Sequence, residues 1–191
     1  MNAEHLRLCS GAEWAKYLDE TLLPWVTGDA PLGDHLLEVG PGPGLTTDIL
    51  HKRVPRMTAL EIDPTLAAPL ATRFAGTNVE VMNADATAIP RETHTFSSAA
   101  SFTMLHHVPS ADLQDQLLAE VARVLRPGGL FIGVDSLDSP RFQRLHEGDI
   151  CVPIDPLGFE ARLRRAGFTE VFLQVWEIGV RFAARTPAAL E

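Results

Sequence analysis

Residues 36–44 read Leu-Leu-Glu-Val-Gly-Pro-Gly-Pro-Gly, a short apolar run with one acid that breaks into three glycines spaced G-x-G-x-G. Few folds accept such a segment. The apolar run has the length and character of a buried strand, and the glycines let the backbone take positive φ and come close to another group, since no side chain stands in the way. A strand that ends in such a loop and then opens a helix belongs to a parallel sheet wrapped by helices. The N–H groups of that helix start are predicted to face whatever the loop approaches.

The glycine spacing alone leaves the ligand open. A dinucleotide fingerprint runs G-x-G-x-x-G, and its last glycine would fall on Leu45. Two further acids narrow the reading. Glu61 stands at the end of the next predicted strand, where a carboxylate can accept two hydrogen bonds from a diol, and Asp85 follows the third. In an open parallel sheet the carboxyl ends of adjacent strands share one crevice, so Glu38, Gly40, Gly42, Gly44, Glu61 and Asp85 are expected along a single groove. That is the geometry of a nucleoside site. These segments hold no lysine or arginine, which makes them a poor diphosphate cradle and a suitable seat for a cationic or amino-bearing ligand. Taken singly, the glycine run also reads as a plain turn and Asp85 as a helix cap or solvated loop acid.

From residue 34 onward, apolar β-type runs alternate with helical patterns. Strands are predicted at His35 to Val39, Arg56 to Ile62, Val79 to Asn83, Ser97 to Phe102 and Leu130 to Val134. Helices are predicted at Leu45 to Arg53, Pro64 to Phe74, Ser110 to Leu125 and Pro156 to Ala166. In the third of these Leu113, Leu117, Leu118, Val121, Val124 and Leu125 form one apolar stripe. Val171 to Trp176 and Val180 to Arg185 are close enough to pair as an antiparallel hairpin, and Ala12 to Val26 reads as an amphipathic helix carrying Trp14, Leu18, Leu22 and Trp25. At 191 residues the chain is expected to form a single domain, with a helical cap (1–33), a binding core (34–135) and a closing part (136–191) that holds a lid-like connection, a helix and the hairpin. No run approaches the length of a membrane span, and the first residues lack a signal pattern, so a cytoplasmic protein is expected. With 16 Lys+Arg against 25 Asp+Glu, a net charge of −9 speaks against nucleic acid as partner. The two cysteines, Cys9 and Cys151, sit in no ligand spacing and are expected to be free thiols.

Five segments together resemble the class I S-adenosylmethionine-dependent methyltransferases, in particular the small-molecule branch similar to ubiquinone and menaquinone biosynthesis enzymes. They are residues 37–44, 59–63, 83–86, 101–108 and 125–130, and the resemblance extends over about residues 34 to 185. It implies a Rossmann-like, doubly wound α/β fold with seven strands in the order 3-2-1-4-5-7-6, strand 7 antiparallel. It also implies S-adenosylmethionine as cofactor. By position, Gly40, Gly42 and Gly44 would pass beneath its methionine part, with Glu38 supporting the loop and the amino group. Glu61 would hold the ribose, Ile62 would pack on the adenine, Asp85 and the Ala86 N–H would read the adenine edge, and Ser101 and Phe102 would begin the wall near the methyl group. One departure is that the family often carries an acid after the Phe opening the fourth strand, whereas Phe96 is followed here by Ser97.

Methyl transfer asks the protein to align two reactants and exclude water, and a base is needed only for an acceptor that must lose a proton. His106, His107 and His146 are the candidates for proton removal, with Asp135 nearby, although histidines before a helix are commonly packing groups. Adjacent histidines are expected to diverge and no third ligand is spaced to join them, so no metal is predicted. Acceptor specificity is assigned to Trp14, Tyr17 and Trp25 and to the connection from Ser136 to Pro156, with Phe142, Leu145, His146 and Ile150. So little insertion predicts an open acceptor site that a second copy of the chain, in a homodimer, would close. The expected activity is methylation of a small-molecule substrate. The alternatives are a non-catalytic S-adenosylmethionine-binding sensor or scaffold and an NAD(P)-dependent oxidoreductase.

Overall fold

A computed structural model describes residues 2–189. It contains one seven-stranded sheet formed by β1 (His35–Val39), β2 (Arg56–Glu61), β3 (Val79–Asn83), β4 (Phe96–Phe102), β5 (Leu125–Ser136), β6 (Glu170–Trp176) and β7 (Gly179–Arg185). Their order is β3-β2-β1-β4-β5-β7-β6, with β1 to β5 parallel and β7 antiparallel to both β5 and β6. This is the arrangement implied by the resemblance. The switch point lies between β1 and β4, where the chain crosses to the other half of the sheet, and this is where open α/β sheets bind ligands.

The helices are α1 (Ala3–Cys9), α2 (Ala12–Tyr17), α3 (Leu23–Thr27), α4 (Thr47–Leu50), α5 (Pro64–Arg73), α6 (Ala111–Val124), α7 (Pro140–Leu145) and α8 (Pro156–Arg165). Alternation along β1 sends its residues to two cores. Leu37 and Val39 face α6 and α8, together with Phe131, Phe159 and Phe182, while Leu36 faces Leu18, Leu22, Leu23 and Val26 of the amino-terminal helices. The predicted stripe on α6 is buried at Leu117, Leu118, Val121 and Val124, each worth roughly 1.5–3 kcal/mol. Ser110 caps this helix by accepting from the Leu113 N–H at 3.2 Å.

Four local expectations are corrected. The amino-terminal helix is one helical run, but a π-helical turn at Leu18–Leu22 joins α2 to α3, and α1 precedes it unpredicted. The helix behind the glycine loop shrinks to four residues and a tight turn, His51–Arg53. The fifth strand begins at Leu125, which already pairs with Phe96, and a bulge in which Gly128 takes φ +71° brings the strand back into register at Leu130 with Ser98. The lid-like connection after β5 holds an unpredicted helix, since Ser139 accepts from the Phe142 N–H at 3.1 Å and so starts α7.

The departure at Ser97 has a structural counterpart. Its hydroxyl accepts from the His35 N–H at 2.9 Å and lies 3.0 Å from the Leu32 carbonyl, tying the entry of β1 to β4. Gly33 makes room for it, as a Cβ there would fall 2.4 Å from the Ser97 oxygen.

Candidate functional site

The carboxyl edge of β1, β2 and β3 brings the three expected acids to one rim. Glu61, 5% exposed, ends β2 beneath the glycine loop, accepting from the Gly42 N–H at 2.9 Å and from the Asp63 N–H at 3.0 Å. Asn83, paired in register with Glu61, donates to the carbonyls of Glu61 at 2.8 Å and Ile62 at 3.0 Å. The end of β3 is thereby clamped to the end of β2, and Asp85 sits two residues further along the same rim. Asp85 is exposed and caps a short turn over Ala86 to Ala88, its Oδ1 accepting from the Thr87 N–H and hydroxyl, both at 2.8 Å. Ala86 is buried beside it, while Ile62 is 63% exposed, an aliphatic side chain left bare between two acid-bearing strand ends.

Glu38 is 1% exposed and takes hydrogen bonds from the hydroxyls of Thr46 and Thr47, on the far side of the loop from its own strand. Burial pushes its carboxyl up to about 7, an effect the two threonine hydroxyls oppose. It therefore fixes the loop's return rather than facing solvent. Gly40 has φ +67°, and a Cβ there would fall 2.1 Å from the Met104 side chain, so the loop can lie against the β4 exit only as glycine. Arg73 donates to the Gly44 carbonyl at 2.9 Å and pairs with Asp48 at 3.3 Å, behind the loop. The groove thus presents acids, bare backbone and one exposed aliphatic group, a donor set that fits an adenosyl group carrying a sulfonium and an amine.

Beyond the switch point, a narrow cleft is lined by His5, Cys9, Trp14 and Leu18 from the amino-terminal helices, the loop from Gly40 to Thr46, and Phe102 and Thr103. Thr103 has φ +48°, rare for a residue branched at Cβ, and its N–H is held by the Val134 carbonyl at 2.8 Å. That turn delivers Met104 to His107 to the rim. Ser101, 1% exposed, lies under the wall as a strand residue paired with Gly133. A larger hollow of about 460 Å³ lies elsewhere, among His94, Arg123, Pro127, Gly167 and Pro187. It is shallow, open to solvent and remote from the switch point, so size alone misidentifies the site.

The histidines behave differently from the expectation that they diverge. His106 and His107 lie with ring centroids 4.2 Å apart, and His146 joins them at 4.8 and 5.2 Å. His5, which carries no sequence signal, completes the group 4.4 Å from His146. It gets there because Asn2 caps α1, accepting from the His5 N–H at 2.8 Å, and donates through Nδ2 to the Leu145 carbonyl at 2.8 Å. Asp135 does not face an acceptor. It is 1% exposed and lies 2.6 Å from His106 Nδ1. Burial, then the neighbouring histidines, pulls His5 down to about 4 and His107 down to about 3; burial also lowers His146.

The aromatic residues assigned to specificity part company. Trp14 lines the cleft, whereas Trp25 packs edge-on to Trp176 at 4.8 Å under the Arg181 guanidinium. Burial raises the Cys9 thiol to about 11, and both cysteines are free. Among the described residues no helix is long and apolar enough to cross a membrane.

A family model described as a methyltransferase domain matches residues 37–133, just over half of the chain. Among curated proteins, the ribosomal RNA small subunit methyltransferase A of Bifidobacterium longum subsp. infantis is 41% identical over 87 residues, covering 40% of this chain and 27% of that protein. The chain therefore spans about a quarter of the length of such relatives. Among solved structures, the PH0226 protein of Pyrococcus horikoshii superposes with a TM-score of 0.76 at 19% identity, covering 93% of each chain. A phosphoethanolamine N-methyltransferase of Haemonchus contortus, solved with S-adenosylhomocysteine, superposes with a TM-score of 0.71 at 14% identity, covering 93% of this chain and 53% of that one.

Proposed function

Because the chain belongs to the methyltransferase-domain family, we propose that it uses S-adenosylmethionine to methylate a small-molecule acceptor, held in the cleft between the glycine loop and the amino-terminal helices. When bound, S-adenosylmethionine supplies an electrophilic methyl carbon on a sulfonium. The observation that carries the reading is the Glu61 carboxylate, buried at the end of β2 and closed onto the Gly42 N–H. It stands where a ribose diol would exchange for, or add to, those backbone donors. Ile62 offers an apolar face for adenine, Asp85 and Ala86 an edge, and Glu38 holds the loop through Thr46 and Thr47. Gly40, Gly42 and Gly44 leave the methionine part free of side chains, with Ser101 and Phe102 behind the methyl group.

On the acceptor side Trp14, Leu18, Phe102 and Thr103 exclude water and orient the nucleophile for in-line attack. A small molecule suits this cleft better than RNA, because the net charge is −9 and among the described residues no lysine or arginine lines it. His106 and His146 are more than nine-tenths buried, each with Nδ1 already engaged, so proton removal is assigned to solvent or to the acceptor's own acidity.

Titration calorimetry with S-adenosylhomocysteine and with NAD tests the cofactor site, and label transfer from methyl-labelled cofactor tests the acceptor. Binding of the homocysteine adduct but not NAD is expected, with label entering a small-metabolite extract and not ribosomal RNA. Label found only in the RNA would overturn the acceptor class.

A further inference from the structure

The four histidines form a buried cluster to which the proposed methyl transfer assigns no proton-transfer role. His5 comes from α1, His106 and His107 from the turn that follows β4, and His146 from the end of α7. One ring nitrogen from each lies within 4.8 Å of the others. His106, His146 and His5 are 1%, 2% and 5% exposed. Yet His5 Nδ1, His106 Nε2, both nitrogens of His107 and His146 Nε2 are buried without any hydrogen-bond partner among the described residues. So many orphaned polar atoms at one point are rare in a folded chain and call for an occupant.

The surroundings fix which lone pairs face inward. Asp135 Oδ1 lies 2.6 Å from His106 Nδ1, and the Phe142 carbonyl lies 2.8 Å from His146 Nδ1. An oxygen acceptor at Nδ1 requires the proton there, which leaves Nε2 of both rings with a bare lone pair, able to accept a hydrogen bond or bind a metal ion. A carboxylate or carbonyl behind the ring is the usual outer support of a metal-binding histidine. Hydrogen bonding among the rings does not answer the need, since none of these inward nitrogens has a partner within range. Phe142 closes the outer side, its ring 4.3 Å from His146 and 4.9 Å from His106.

We propose that His5, His106, His107 and His146 together bind one divalent transition-metal ion of the zinc class, through four imidazole nitrogens in a closed tetrahedral shell. Imidazole donors suit zinc and its neighbours, and four protein ligands are typical of structural sites. Zinc–nitrogen bonds of about 2.0–2.1 Å place tetrahedral ligands roughly 3.4 Å apart, so the rings need to draw in by about 1 Å on binding. Asp135, and Asp149 with Oδ2 4.0 Å from His107 Nδ1, supply compensating negative charge. The ion would clip α1 and the α7 segment onto the exit of β4, and because His5 also lines the cleft, it would set the position of that wall.

The test uses the untagged full chain, stripped with a chelator and then titrated with zinc or cobalt(II). One equivalent per chain is expected by elemental analysis, with cobalt bands of tetrahedral intensity and a zinc-dependent rise in Tm. His5→Gln and His146→Gln should each weaken binding at least a hundredfold and abolish the Tm rise. Asp135→Asn should keep the stoichiometry and weaken affinity by about 10–100-fold. Should a variant lose its far-UV signal, His107→Gln, on the least buried ring, carries the same comparison. Substoichiometric uptake, an octahedral cobalt spectrum, or binding unchanged in the variants would overturn the site. Affinity for S-adenosylhomocysteine is a separate readout, so failure here leaves the cofactor assignment standing.

Discussion

On one side of the glycine loop, Glu38, Glu61 and Asp85 reach the rim from the ends of three strands paired side by side, each followed at once by its own turn. On the other side, His5, His106, His107 and His146 arrive from an amino-terminal helix, a strand exit and a helix far down the chain. The first half is placed by sheet register, which moves a residue at a strand end to the rim whatever else the chain does. The second is placed by how α1 and α7 dock, through contacts such as Asn2 to the Leu145 carbonyl that no local pattern announces. The halves also differ chemically: acids and bare backbone against imidazoles.

The largest effect expected from this contrast is on cofactor affinity. Glu61→Ala removes a carboxylate able to make two charge-assisted hydrogen bonds, each worth roughly 1.5–3 kcal/mol, and frees the Gly42 N–H it now holds. The Kd for S-adenosylhomocysteine should rise at least a hundredfold by calorimetry. His146→Gln should leave the same constant within about threefold, because that ring contacts His5, His106, His107 and Phe142 and not the groove. Comparable losses in both variants would mean that the halves are one unit.

This asymmetry also explains what was readable in advance. The strand order, the glycine loop and Glu61 follow from an apolar run, a turn composition and an acid at a fixed place relative to both. His106 and His107 were visible as residues but their direction was not, because Thr103 turns the chain at φ +48° before them. His5 lay in a stretch with no predicted element, and only the cap by Asn2 and the packing of α7 bring it to the others. Helix docking of this kind depends on surfaces assembled from distant segments, which a linear pattern does not record.

A second, smaller effect concerns the acid half alone. Glu38 has its carboxyl pushed up to about 7 from an ordinary 4.5, so between these values the folded chain holds a proton that the unfolded chain has released. Its contribution to stability is complete below 4.5 and is lost as the pH rises through 7. His35, at the other end of β1, is 4% exposed, against Thr58 and Phe96, and burial pulls it down to about 4. Its contribution is present above 6.5 and disappears as the pH falls through 4, the opposite slope. Glu38→Gln should therefore steepen the rise of unfolding free energy from pH 4.5 to 7, by an amount on the order of 2–3 kcal/mol relative to the native chain. Urea titrations at stepped pH read this directly. Parallel curves for the two proteins would show that the threonine hydroxyls keep Glu38 ionised throughout.

The smallest effect separates packing from hydrogen bonding within the acid half. Ile62 is 63% exposed on a rim otherwise made of polar groups and backbone, a position that folding does not need to fill with an aliphatic side chain. Ile62→Ala should leave Tm almost unchanged, as substitutions at exposed positions do. If adenine covers one face of this side chain, somewhat under half of the roughly 0.8 kcal/mol that each of the three removed carbons carries when fully buried is lost, about 1 kcal/mol in all, and the Kd for S-adenosylhomocysteine should rise about three- to fivefold. Adenosine alone should show the same ratio, since the contact belongs to the base and not to the amino-acid part. A ratio of one for both ligands would move the adenine off Ile62 and toward Asp85 and Ala86, leaving Glu61 as the anchor of the groove.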